Sequence, residues 1–138
     1  MLVCPTDSRL LQLDAIKTAE LDGGSLRLFK NDFVPNKATL LADLTPADFD
    51  GYAAKTIVTW GAAFLDPAGL ATTLAPLQTW TQSGDTTPNT IYGAYYVSVG
   101  GDLIWAERFA TSIGMADATS VLNMVPKFQS GDLGEVIS

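Results

Sequence analysis

Histidine is absent from the chain. Its absence removes the usual general base near neutral pH, the Ser-His-Asp and Cys-His relays, and the commonest zinc ligand. Cysteine is nearly absent too. Cys4 stands alone, so no internal disulfide can form and the chain is not a cysteine-stapled scaffold. No basic residue lies close to Cys4 in sequence to activate it as a nucleophile, and a spare thiol is the plain reading. Basic residues are scarce: 8 Lys and Arg stand against 15 Asp and Glu, for a formal net charge of -7. They form no block, which argues against nucleic acid as a partner and equally against an anionic membrane surface. No apolar run reaches the roughly 18 residues of a membrane span. Met1-Leu2-Val3 lacks the positive region and apolar core of a signal peptide. The chain is therefore expected to be made in the cytoplasm and to stay soluble or assemble there. Gly23-Gly24 and Gly100-Gly101 lack the spacing and the lysine of a phosphate cradle, so both read as turns. No cofactor and no metal is expected.

What the chain does have is a stretch from Thr90 to Ala110 in which two aromatic and β-branched runs flank Gly100-Gly101-Asp102. This is a hairpin signal. A two-residue turn at Gly100-Gly101 pairs Val97 with Ile104 and Tyr95 with Ala106 on one face. It pairs Tyr96 with Trp105 and Tyr92 with Phe109 on the other. A three-residue turn would shift these partners by one. Both faces of the ribbon then carry large apolar groups, and a two-stranded ribbon cannot bury both by itself. Either the rest of the chain or a neighbouring subunit has to cover them.

The 138 residues suffice for one domain with a real core. Asp7 or Ser8 can cap a helix over Arg9 to Glu20, stopped by Asp22-Gly23-Gly24, although alternation through Leu11, Leu13 and Ala15 also permits a strand. Ser25 to Lys30 alternates as a strand. Thr45 to Phe49 reads as a capped helical turn with Pro46 at its first position, and Phe49 and Tyr52 pin it to the core. Lys55 to Trp60, Leu74 to Gln82 and Thr119 to Phe128 complete the strand candidates, with Pro76 and Pro126 marking edges or bulges. About six to eight short strands separated by turns, with no long crossover helices, point to an all-β fold. The expected architecture is a single-domain β-sandwich or small, jelly-roll-like barrel over residues 25–128. A short helix or arm precedes it at 1–24, and a Gly-rich, acidic tail follows at 129–138.

Few residues offer chemistry. Glu107 is the one acid inside a central strand, on the expected face of Tyr96 and Trp105 and across from Ala94. A carboxylate beside aromatics resembles a sugar-binding surface; the alternative is an ion pair with a Lys or Arg on an adjacent strand or subunit. Arg108 faces the other way and raises its own question of burial or interface. Asp43, Asp48 and Asp50 lie close together but lack the full calcium loop with its distant Glu. The aromatic excess of the hairpin points to a subunit interface, where Tyr and Trp are enriched. The interface candidates are Tyr92, Tyr95, Tyr96, Trp105, Glu107, Arg108, Phe109, Phe49 and Tyr52.

Several segments together carry a resemblance. They are Leu28-Phe29-Lys30-Asn31-Asp32, Pro35, Leu44-Thr45 to Asp48-Phe49, Gly51-Tyr52, Thr90-Ile91-Tyr92-Gly93, Trp105-Ala106-Glu107-Arg108-Phe109 and Val125-Pro126-Lys127-Phe128. Over Leu26 to Phe128 the chain resembles small virion structural proteins of tailed bacteriophages. The resemblance implies a non-enzymatic protein, with a head decoration, or cement, role nearest. Such proteins bind and stabilise the shell of major capsid protein and are often β-rich and trimeric, with terminal arms touching the shell. Met1 to Glu20 and Gln129 to Ser138 are then the candidate arms, a homo-oligomer (a trimer for preference) is expected, and the location is the virion, assembled in the host cytoplasm. A tail or baseplate component, or a receptor- or glycan-binding module, is the alternative reading. A carboxylate-based glycan hydrolase comes last.

Overall fold

The computed structural model describes residues 6–84 and 87–129. Within them the fold is one N-terminal helix with several antiparallel sheets, rather than purely β. Helix α1 spans Thr6–Ile16 and runs into a single π-helical turn, Lys17–Leu21, closed by the amide of Asp22 donating to the Lys17 carbonyl at 2.7 Å. Gly23 then takes φ +83°, a conformation glycine reaches without strain, and turns the chain into the first strand. Leu13 and Leu21 are fully buried in the common core, so this segment packs against the sheets.

Four strands form the largest sheet, in the order β2-β1-β6-β7: β2 is Lys55–Ile57, β1 Gly24–Phe29, β6 Asn89–Val97 and β7 Leu103–Met115. Leu26 and Leu28 of β1 alternate inward as the sequence requires, each worth about 2 kcal/mol on full burial. Phe64–Leu65 (β3), Ala71–Leu74 (β4) and Lys127–Gln129 (β9) make a second sheet, β3-β4-β9. Gln78–Thr81 (β5) pairs with Val121–Met124 (β8) as a two-stranded ribbon.

The last two of these units form one bent ribbon. The sequence reads Leu74 to Gln82 and Thr119 to Phe128 as single strands, but each is cut in two, at Ala75-Pro76-Leu77 and at Val125-Pro126. Neither proline has an N–H for a ladder, so both lie where the ribbon switches sheets. The Ala75 amide still donates to the Pro126 carbonyl at 3.0 Å and holds the corner together. Gln129 belongs to β9 and donates to Asp66 at 2.7 Å, and the rest of the tail expected at 129–138, like the first five residues of the expected N-terminal arm, lies outside the described residues.

The helical turn expected at Thr45 to Phe49 does not form. That segment is extended and bridges the end of β1: Lys30 N–H donates to the Thr45 carbonyl and Ala47 N–H to the Leu28 carbonyl, both at 2.9 Å. Ala47 and Phe49 are both buried, a period of two that helix would break. Lys55 to Trp60 also ends early, at Ile57, because the Trp60 amide leaves the sheet to donate to Asp22 at 2.8 Å.

The hairpin forms, with a different turn. Ser98 N–H donates to the Asp102 carbonyl and Gly101 N–H to the Ser98 carbonyl, with Gly101 at φ +93°. This is a three-residue connection whose left-handed residue must be glycine or pay strain. The register at Tyr95–Ala106, Tyr96–Trp105 and Ala94–Glu107 is nevertheless the expected one, because a bulge at Ile104 restores it; Val97 pairs with Leu103 instead. Tyr92 does not pair with Phe109. A second bulge there sets Phe109 to Ser112 against Tyr92 alone, and pairing resumes at Ile91–Ile113.

Candidate functional site

The chain itself covers much of both faces of the hairpin. On one face Tyr96 is fully buried beneath Trp60 and beside Trp105, with ring centroids 5.4 Å (edge-on) and 6.0 Å (stacked) away. The Tyr96 hydroxyl donates to the Leu21 carbonyl and accepts the Trp60 indole N–H at 3.1 Å. On the other face Tyr95 and Val97 pack with Phe29 and Leu44 in a separate small cluster. Phe49, with its ring 5.3 Å from that of Tyr52, is buried as well. Tyr52 accepts the Leu28 amide at 3.1 Å. Burial raises the pKa of all three tyrosines, 52, 95 and 96, above the ordinary value. Tyr95, Tyr96 and Phe49 thus offer no surface to a partner: intramolecular packing, rather than a subunit, takes them.

The other candidates lie at or near the surface. Arg108 stacks over Tyr92, 5.2 Å from the ring centroid, pairs with Asp32 at 2.5 Å and donates to the Phe33 carbonyl at 3.2 Å. It therefore fixes the loop after β1 onto the hairpin. Phe109 and Trp105 are half-buried against the main core. Glu107 is exposed and makes no ion pair among the described residues. Trp80, the other tryptophan that could have furnished a sugar platform, is buried with its indole donating to the Ala53 carbonyl at 2.9 Å.

The three clustered aspartates do not act together. Asp43 accepts the Leu40 amide at 2.9 Å and closes the short 3-10 turn Leu41–Asp43. Asp48 pairs with Lys30 at 2.8 Å and accepts from Asn89 at 2.9 Å, contacts that hold its carboxyl below the usual range. Among the described residues no three acidic, histidine or cysteine side chains converge. No helix among them is long and apolar enough to cross a membrane.

The surface the sequence reading did not single out is the outward face of the β5–β8 ribbon. Register places Thr79 opposite Asn123 and Thr81 opposite Val121, and Leu77 and Val125 are the residues next beyond the Gln78–Met124 pair that closes the ribbon. All six side chains are exposed and none is charged. Leu77, Val125 and Val121 are 60%, 52% and 49% exposed. Thr79 donates to the Asn123 side-chain oxygen at 2.7 Å, which links the polar pair in the middle of a face that carries no charge. The inward face carries Trp80 and Leu122 into the core. The alternation was visible in the sequence; which side faced water was not, because both rows hold apolar residues.

A shallow cleft of about 510 Å³ lies between the loop at 35–39, the first residues of β7 and Phe128. Comparison with protein families, with curated proteins and with solved structures finds no match to the chain.

Proposed function

We propose that the chain is a non-enzymatic structural protein of a tailed-phage virion, a decoration or cement subunit that seats on the shell of major capsid protein as a homo-oligomer, for preference a trimer. The observation that carries the reading is the neutral outward face of the β5–β8 ribbon. Three aliphatic side chains about half exposed, flanking a hydrogen-bonded Thr79–Asn123 pair, make a surface suited to another protein and unsuited to a phosphate or a lipid headgroup. The sequence resemblance to small virion proteins supplies the identity of that partner. The fold reading goes with it: α1 and residues from all three sheets share one core cluster, which supports a sandwich-like wrapping of the sheets about a common interior. The alternative, a glycan-binding tail module, is weakened by the burial of Trp80.

The test is co-sedimentation with empty, undecorated capsids. The unaltered chain is expected to pellet with them, and the pair Leu77→Asp with Val125→Asp to stay in the supernatant while keeping its far-UV circular dichroism. Equal pelleting of both proteins, or of neither, would sink the proposal.

A further inference from the structure

We propose that copies of this chain join head to tail through the two open ends of the four-stranded sheet, the β7 edge of one copy adding to the β2 edge of the next. The inference rests on the homo-oligomer proposed above and names its interface.

The sheet runs β2-β1-β6-β7, so β2 and β7 each have a neighbour on one side only. Among the described residues no strand pairs with the outer edge of either. Such edges offer unpaired N–H and C=O groups to another chain. Every pairing in the sheet is antiparallel, so β1 and β7 point one way and β2 and β6 the other. Rotation about an axis parallel to the strands preserves those directions. It brings β7 against the next copy's β2 antiparallel, as in every other pair of the sheet, and a head-to-tail contact of this kind can close into a ring.

The charges at the two ends match. Glu107 is exposed and Lys55 half-buried, and neither makes an ion pair among the described residues. Both lie on the same face of the sheet. Lys55 is opposite Leu26, and Leu26 is opposite Tyr96; Leu28 is opposite Ala94, and Ala94 is opposite Glu107. Leu26, Leu28, Ala94 and Tyr96 all belong to the main core cluster, which fixes that face. Setting Glu107 opposite Lys55 of the next copy puts Ala106 opposite Thr56 and Trp105 opposite Ile57, each pair on a common face. Lysine on an edge strand ordinarily discourages a second strand. Opposite Glu107 it selects one.

The residues around the two edges suit a covered contact. Ala53, Ala54, Thr56, Val58 and Thr59 are exposed and uncharged, and Val58 is 75% exposed. On β7 the stretch Trp105 to Arg108 pairs regularly with β6, between register shifts on either side, so an arriving strand can follow it. Leu103 to Ala106 line the cleft beside the 35–39 loop, which leaves space along this part of the edge.

The test is oxidative cross-linking of the full chain in a Cys4→Ser background. Within one copy, positions 55 and 107 are three strand spacings apart, about 14 Å, too far for a disulfide. Directly opposed residues of paired strands lie about 4.5–5.5 Å apart at Cα, within reach of one. The double variant Lys55→Cys, Glu107→Cys is expected to give covalent multimers on non-reducing gels, and each single variant none. In light scattering, Glu107→Lys is expected to raise the dissociation constant of the oligomer about tenfold, and Glu107→Lys with Lys55→Glu to restore it. An oligomeric parent whose double variant does not cross-link would overturn this interface and leave the homo-oligomer standing. Cross-linking of a single variant would overturn it too, by setting like edges together. A monomeric parent would remove the homo-oligomer itself, and this interface with it.

Discussion

Removing one oxygen from the centre of the molecule should cost more than removing many surface side chains. In Tyr96→Phe the ring and its contacts with Trp60 and Trp105 are retained, and only the hydroxyl is lost. Two buried groups lose their partner: the Leu21 carbonyl, at the end of the π-helical turn, and the Trp60 indole N–H. Tyr96 is wholly inaccessible to solvent, so water does not replace the oxygen without the core opening. Each orphaned buried group costs about 1–3 kcal/mol, which puts the variant about 3 kcal/mol below the parent. For a chain of this size that lowers Tm by about 10 °C. The assay is urea unfolding followed by far-UV circular dichroism, since tryptophan emission would change with the mutation itself. An unchanged slope with a lowered midpoint is expected. Tyr52→Phe is the internal comparison. It orphans a single group, the Leu28 amide, on a half-buried ring and should cost about 1 kcal/mol. A loss at Tyr96 no larger than that at Tyr52 would refute the view that this hydroxyl ties helix, β6 and Trp60 together.

Gly93→Ala should destabilise by about 3 kcal/mol or more, because its Cβ would stand 2.1 Å from the Glu107 carbonyl oxygen and 2.5 Å from the Phe29 ring; retention of the parent's urea midpoint would contradict that packing. Stability should fall as pH rises above about 10, since the raised pKa values of Tyr52, Tyr95 and Tyr96 keep the folded chain protonated while the unfolded chain ionises. Tyr96→Phe should flatten that alkaline slope in pH-resolved urea melts. At the acid end the lowered pKa values of Asp48, Asp66 and Asp117 contribute stability above pH 3.8 that is lost as pH falls through their folded values, so Asp66→Ala should be less acid-sensitive than the parent by the same melts. Light scattering should find the parent oligomeric and the Leu77→Asp, Val125→Asp pair in the same state at equal concentration, because the altered face is the one proposed to meet the capsid; a monomeric parent would contradict the homo-oligomer.

The hairpin was legible because three independent signals agreed there: β-branched and aromatic content, a glycine pair, and a symmetric spacing about it. The turn takes the three-residue form yet keeps the central register of the two-residue one, since the added loop residue and the bulge at Ile104 cancel at Tyr96–Trp105. Elsewhere the signals were tertiary. Nothing local tells Thr45 to Phe49 to lie extended. A proline at a helix start and a proline at a bridge look alike, and the choice is made around the end of β1, where the Leu28 carbonyl and the Lys30 amide need the Ala47 amide and the Thr45 carbonyl. Similarly, Pro76 and Pro126 each announce a break in a strand, but only their facing positions turn two breaks into one corner.

Aromatic content by itself does not separate an interface from a core: of the candidates, Phe49, Tyr95 and Tyr96 are buried, and Tyr52, Tyr92, Trp105 and Phe109 are partly exposed. A tyrosine at a subunit contact and a tyrosine in a core share the same sequence context, since both need a large apolar ring near a polar atom. The structure separates them by where the hydroxyl goes. That of Tyr96 is spent on a backbone carbonyl and an indole of its own chain, and Tyr52 accepts from a β1 amide. The proposed partner surface is the material with no such internal obligation: aliphatic and hydroxyl side chains on the outer row of β5 and β8. A neutral row of this kind gives up little solvation when covered, whereas the charged loops elsewhere would have to shed theirs. Adhesion should therefore depend weakly on ionic strength. A capsid affinity that collapsed between low and physiological salt would place the contact on the charged surface instead, and would move the search to Lys37, Glu107 and Lys127.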